Sequence, residues 1–251
     1  SLRSDRPGRP YVIGHRGASG EAPENTMASF DLAVEQQADL VELDVHLTSD
    51  GVLVVIHDFA VDRTTDGHGL VMELTSAEVR GLDAAARFPG GFRRQVVPTL
   101  DEVLEWARGH VAIAIELKSG PVHYPGIESR VAETVERHGM SDNTVVISFD
   151  HTILLKLKRA FPGIATGALY ACAPVSPSSL AMAAHSDALL PHWGDLSRDM
   201  VEDAHMNGLA ISTWAVDEER DMGWVMSMGV DAIATNYPGR LVNLMRRAES
   251  R

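Results

Sequence analysis

Three observations in the sequence predict a TIM-type (β/α)8 barrel: short β-branched runs alternate with amphipathic stretches, the chain has 251 residues, and reactive side chains end several of those runs. Alternating strand and helix signals call for a parallel sheet with crossover helices. The length suits one barrel without forcing a second domain, so residues 1–251 read as a single barrel domain. A doubly wound open sheet competes, but it would want a glycine-rich phosphate loop after its first strand. GHRGASGE at that place has glycines without the G-x-G-x-x-G spacing.

Taken in order, the strand signals fall at 11–14, 40–46, 52–57, 111–117, 144–149, 165–170, 187–191, 209–214 and 231–235. Helical signals fall at 26–37, 99–108, 127–138, 151–160, 177–185, 198–206, 218–228 and 239–247. Thr26, Ser176, Ser197 and Asp217 stand where N-caps belong. Nine strands are one more than a barrel needs. Residues 47–51, LTSDG, are too few to hold a helix, so either 52–57 is an out-of-pattern strand or the barrel lacks its second helix. Residues 59–98 follow no strand–helix rhythm and carry Gly67, Gly69, Gly81, Gly90 and Gly91, which reads as an insertion on one barrel face.

Composition narrows the function. Hydrophobic residues make up 45% and charged residues 23%, ordinary for a protein with a core. A net charge of −13 argues against nucleic acid as a partner, because phosphate backbones are held by clustered cations. Any phosphate site must be a local basic spot in an acidic surface. One cysteine, Cys172, excludes an internal disulfide and a thiolate metal site. No apolar run is long enough to span a bilayer. SLRSDRPGRP has no apolar signal core, which reads as cytoplasmic, although Ser1 in place of Met is compatible with a processed start and a removed signal peptide.

In a barrel, chemistry sits at the C-terminal ends of the strands. Four segments put polar groups there: Gly14-His15-Arg16-Gly17, Glu42-Leu43-Asp44, His57-Asp58 and Glu116-Leu117-Lys118. Strand period two turns Glu42, Asp44 and His46 to one face and Leu43, Val45 and Leu47 to the other. The same spacing turns Glu116 and Lys118 inward together. Paired inward carboxylates repel and lose hydration unless a cation compensates them. All-oxygen donors suit a hard ion, Mg²⁺ or Ca²⁺, better than zinc. Arg16 and Lys118 suit a pair of phosphate oxygens, and His15 and His57 suit proton transfer near neutral pH. Metal, phosphate clamp and acid–base pair are the parts of phosphodiester hydrolysis.

Each piece alone also has a structural reading. An E-x-D in a strand is often a surface pair, Arg16 could neutralise a neighbouring acid, and His46 could fill the interior. His68, His110, His123, His138, His151, His185 and His205 read as solvated, while His192 and Trp214 fit either packing or a pocket wall. Coincidence at four strand ends favours a site.

HRGASGEAPENT, then VELDVHLTSDGVLVVIHD, then IELK and a later tryptophan strand resemble the glycerophosphodiester phosphodiesterase family, from His15 to about Pro238. The resemblance implies a TIM-type barrel with an insertion after the histidine–aspartate motif, where 59–98 falls. It implies a divalent metal on Glu42, Asp44 and Glu116, phosphate on Arg16 and Lys118, and His15 and His57 as the acid–base pair. Asn25 matches a motif position, either touching substrate or tying the loop to Thr26. The family's Trp-Thr-Val-Asn reads Trp214-Ala215-Val216-Asp217 here, and its Thr-Asp-x-Pro reads Thr235-Asn236-Tyr237-Pro238. Neither departure touches the matched catalytic set.

The expected reaction is hydrolysis of a glycerophosphodiester to glycerol 3-phosphate and an alcohol, with His15 as base and His57 as acid by strand position. The rival is a phospholipase D-type barrel acting on lyso- or sphingophospholipids, hinted at by Phe88, Pro89 and Phe92. Further alternatives are a phosphodiester-binding barrel without turnover and an aldolase-type barrel, for which no Schiff-base lysine is marked.

Overall fold

A computed structural model describes residues 2–4 and 8–250. Ser1, on which the expectation of a processed start rests, lies outside them. The chain runs β1 (Tyr11–Gly14), α1 (Met27–Glu35), β2 (Leu40–Leu47), β3 (Leu53–Val55), α2 (Ser76–Gly81), α3 (Leu100–Ala107), β4 (Ala112–Leu117), α4 (Ile127–Arg137), β5 (Thr144–Ser148) and α5 (His151–Ala160). It continues β6 (Ala165–Tyr170), α6 (Pro177–Ala184), β7 (Ala188–Pro191), α7 (Arg198–Met206), β8 (Ala210–Thr213), α8 (Glu219–Ser227), β9 (Ala232–Thr235) and α9 (Pro238–Glu249).

Eight parallel strands close a ring, β1-β2-β4-β5-β6-β7-β8-β9, sealed by β1 pairing with both β2 and β9. The surplus strand is β3, antiparallel to β2 with Val45 opposite Val55. Parallel pairing needs a crossover of a dozen or more residues, and only a tight turn joins β2 to β3, so the chain can only fold straight back. Thr48 Oγ1 accepts from Val52 N at 3.0 Å, and Gly51 supplies the left-handed φ of 78° that the turn needs. Of the two readings of 47–57, the out-of-pattern strand is correct; α3 fills the helix position before β4.

Capping explains where several helices start. Thr26, Thr75 and Thr99 each form a capping box, Asp150 accepts from Thr152 N and Ile153 N, and Ser197 accepts from Met200 N. Ser176 heads α6 without a side-chain bond. Asp217 does not cap α8, whose N-cap is Glu218; its carboxylate is engaged elsewhere. At the opposite end of the barrel one device recurs: Asp39, Asp187 and Asp231 stand just before β2, β7 and β9 and accept the backbone N–H of Val12, Thr166 and Ile211 on a neighbouring strand. Strand ends that would otherwise leave orphan donors are satisfied there.

Outward residues such as Leu43, Val45, Ile113 and Ile115 pack under the helices with Phe30, Leu100, Leu104 and Leu154, all fully buried. Many inward positions are small, Ala114, Ala188, Ala210, Ala232 and Ala234 among them, beside the larger Ile147, Leu169 and Leu190. They leave a cavity of about 720 Å³. The 59–98 segment holds α2 and two short 3-10 turns and shares an apolar cluster with the β3 region, made of Val54, Ile56, Val61, Val71, Val79, Ala84 and Val97. Among the described residues no helix is long and apolar enough to cross a membrane.

Candidate active site

The turn after β1 builds one wall. Gly17 has φ 82°, and a Cβ there would lie 2.4 Å from Ser29 Oγ, so the residue must be glycine. Arg16 has φ 56°, a left-handed conformation that costs a non-glycine residue on the order of 1 kcal/mol. The conformation aims Arg16 N at Glu42 Oε2, 2.8 Å away. The guanidinium then reaches Glu24 at 3.1 Å and Asp44 at 3.5 Å.

β2 and β4 supply the acids. Asp44 pairs in register with Glu116, and period two turns Glu42, Asp44, Glu116 and Lys118 inward as the alternation predicts. Glu42, Asp44 and Glu116 are buried, each with a carboxylate oxygen within 4.8 Å of the others. Lys118 Nζ lies 2.7 Å from Glu116 Oε1 and 3.4 Å from Asp44 Oδ1.

These charges set one another's protonation. Burial, reinforced by Asp44 and Glu116, pushes the Glu42 carboxyl well above the usual range. Burial and Asp44 push Glu116 up to about 7. Burial also works to raise Asp44, but the Lys118 and Arg16 cations override it and hold that carboxyl far below its ordinary value. Three buried acids thus face only two nearby cations. Asp44 Oδ1 is also buried without a hydrogen bond, with only the Lys118 ammonium at 3.4 Å, and a hard cation would satisfy its remaining capacity as an acceptor. The residues present fit a divalent ion.

The Asn25 side chain turns to Asp44 rather than to Thr26. Its Nδ2 donates to Asp44 Oδ2 at 2.8 Å, and its Oδ1 accepts from Asp44 N at 3.3 Å. The clamp fixes which Asp44 oxygen faces the acid cluster.

The histidines differ in partner. His15 Nδ1 lies 2.8 Å from Asn236 Oδ1, and desolvation, then Arg16, lower the ring to about 4. His57 Nδ1 lies 2.5 Å from Asp58 Oδ1; desolvation lowers this ring too, with Asp44 and Asp58 opposing. Asp58 accepts from Arg63, which also donates to Glu24 at 2.6 and 2.9 Å, and Glu24 accepts from Arg16. A continuous chain therefore runs from His57 through Asp58, Arg63 and Glu24 to Arg16. Glu24 and Arg63 carried no sequence signal of this role, because they meet only through a fold contact spanning 39 residues.

Both histidines line the cavity, with Arg16, Glu42, Glu116 and Lys118. Trp214 lines it too; its Nε1 donates to Leu190 O at 3.0 Å and its ring meets Phe149 edge-on at 5.4 Å. Phe149, 44% exposed, extends that aromatic wall and was read only as the end of a strand. His192 packs edge-on against Trp214 at 5.3 Å and does not itself line the cavity. His46 is fully buried and bonded to Tyr124 Oη and His57 O, filling the space under the site. His68, His110, His123 and His185 are exposed as expected. His138, His151 and His205 are not solvated: each is half-buried and bonded, to Asp101, Leu169 O and Asp231 respectively.

Known proteins resemble this chain over nearly its whole length. The model of the glycerophosphoryl diester phosphodiesterase family matches residues 15–240. A glycerophosphodiester phosphodiesterase of Caldanaerobacter subterraneus is 40% identical over 240 residues, covering 95% of this chain and 99% of that protein. The crystal structure of a glycerophosphodiester phosphodiesterase from Agrobacterium tumefaciens superposes with a TM-score of 0.82 at 33% identity, covering 94% of this chain and 100% of the other. The structure of an Oleispira antarctica phosphodiesterase in complex with the product sn-glycerol-3-phosphate gives a TM-score of 0.86 at 30% identity, covering 94% and 97%.

Proposed function

This chain belongs to the glycerophosphoryl diester phosphodiesterase family, and on that premise we propose how its residues divide the work of hydrolysing a glycerophosphodiester. Residues 1–251 are read as one catalytic barrel with 59–98 as an elaboration. One observation carries the reading: a buried carboxylate trio stands between two cations, Arg16 and Lys118, within a cavity that two histidines also line.

Glu42, Asp44 and Glu116 would hold one divalent cation, and their all-oxygen donor set suits Mg²⁺ or Ca²⁺. Bound there, the ion would act as a Lewis acid toward a phosphoryl oxygen. Arg16 and Lys118 contact the nonbridging oxygens and stabilise the charge that grows on them. His15, kept neutral by its surroundings, takes the proton of the attacking oxygen, which is water or the glycerol hydroxyl beside the phosphate. His57, with a carboxylate against Nδ1, is the group better able to carry a second proton, and it delivers that proton to the departing alcohol oxygen. Trp214 and Phe149 exclude water on one side. Glycerol 3-phosphate and an alcohol are the products, in one step when water attacks, and, when the hydroxyl attacks and expels the alcohol, after a water molecule opens the resulting cyclic phosphodiester.

The lysophospholipid reading finds less support. Phe88 and Pro89 line a separate small cleft with Glu24 and Arg63 rather than the cavity that His15 and His57 line. The acidic surface favours a small soluble diester over nucleic acid. Product identity tests the reading. With glycerophosphocholine and Mg²⁺ or Ca²⁺, glycerol 3-phosphate and choline are expected, whereas phosphocholine and glycerol would place the cleaved bond on the other side of phosphorus and overturn it.

A further inference from the structure

Asn236 stands between His15 and a carboxylate. Its Oδ1 lies 2.8 Å from His15 Nδ1 and 2.7 Å from Ser19 Oγ, while its Nδ2 donates to Asp217 Oδ2 at 2.7 Å. Asp217 is itself pinned, because its Oδ1 accepts from Asn236 N at 2.9 Å and Thr235 Oγ1 at 3.0 Å. Ser19 Oγ also reaches His15 O at 2.7 Å, closing the other side. A carboxylate only accepts hydrogen bonds, so the NH2 end of the amide must face Asp217 and the oxygen must face His15. An amide oxygen likewise only accepts, so the proton on this edge of the imidazole belongs to Nδ1.

We propose that Asn236, oriented by Asp217, is a positioning residue that locks His15 in its Nδ1–H tautomer and leaves the Nε2 lone pair free for the attacking oxygen. This rests on the reading of His15 as the base. A neutral amide does so without the negative charge that would stabilise the imidazolium. The charged groups facing the ring are Arg16 and His57, which favour its neutral form, and Asp44, which opposes them, with Asp217 held one residue further back behind the amide. His57 has the contrary arrangement, a carboxylate directly against Nδ1. The two rings are thus told apart by one atom type in the neighbour. Asp217 and Asn236 lie 19 residues apart in sequence, at the ends of adjacent strands, which is why one reads as a helix cap until the fold joins them.

Two variants and one spectrum test the proposal. In the single variant Asp217→Ala the amide loses the acceptor that orients it, and kcat should fall about tenfold to a hundredfold with KM little changed. The double variant N236D/D217N exchanges the two side chains, keeping the hydrogen-bonding groups while moving the carboxylate against the ring. Its acid limb in kcat/KM should move up by about one to three pH units. Nitrogen chemical shifts of the wild-type protein at neutral pH should show His15 protonated on Nδ1, and the single variant should show a mixture. An Nε2–H tautomer in the wild type would overturn the proposal, as would an unmoved pH profile in the exchanged variant. Should His15→Ala retain turnover on every substrate, the base reading fails, yet the spectrum still decides whether the amide sets the tautomer.

Discussion

Replacing Lys118 by Met separates two jobs that one ammonium does. Lys118 Nζ contacts Glu116 at 2.7 Å and Asp44 at 3.4 Å, with its side chain only 11% exposed. Removing one partner from a buried pair costs about 3–5 kcal/mol, because the carboxylates are left uncompensated. That cost should appear in full in thermal or urea unfolding of the metal-free protein. It should shrink when Mg²⁺ or Ca²⁺ is present, since a bound cation supplies compensating charge. Catalysis loses something metal cannot restore, a charge-assisted contact to phosphate worth about 1.5–3 kcal/mol. Under saturating metal, kcat/KM on glycerophosphocholine should therefore fall about tenfold to 150-fold. Kinetics within about twofold of wild type would refute the reasoning, because Lys118 would then not touch the transition state.

Other predictions follow from the same geometry. The histidines should divide by leaving group: His57→Ala should be crippled on glycerophosphocholine but largely active on the nitrophenyl ester of glycerol 3-phosphate, whereas His15→Ala should fail on both; the opposite pattern would exchange the roles. Asn25→Ala removes the clamp on Asp44 and should weaken metal affinity about tenfold to a hundredfold in a calorimetric titration, with helix content unchanged; unaltered affinity would show that Asp44 needs no support. His46, lowered by burial to about 4, binds its proton more readily unfolded than folded, so its contribution is present above about pH 6.5 and is lost as pH falls toward 4, a swing of about 3 kcal/mol. Urea midpoints of His46→Gln should accordingly depend less on pH across that window than those of wild type, and parallel slopes would count against it.

Local signals carried much of this structure. All nine strand signals correspond to strands, because β-branched runs bounded by turn residues leave few alternatives, and the inward set on β2 and β4 followed from period two alone. The antiparallel return of β3 was legible only as an anomaly, since a tight turn specifies reversal but not which partner the strand meets. Asp217 shows the limit most clearly. An aspartate just before a helical run satisfies every local criterion for a cap, and the fold gives it Thr235 and Asn236 as competing donors. His138, His151 and His205 looked solvated for the same reason: their partners Asp101, Leu169 and Asp231 lie 18 to 37 residues away. The arginine–glutamate chain behind His57 was invisible because Arg63 sits in a segment without periodicity. Residues on regular strands were placed by pattern, and those acting through another residue needed the tertiary contact.

The carboxylate trio is the account's centre, and metal dependence tests it most directly. Exhaustive chelation should abolish turnover of glycerophosphocholine, and adding Mg²⁺ or Ca²⁺ back should restore it. In the Glu116→Gln variant, where one ligand charge is gone, restoration should need at least about tenfold more metal while the fold stays intact. Full activity after exhaustive chelation would contradict the assignment of Glu42, Asp44 and Glu116 as a metal site.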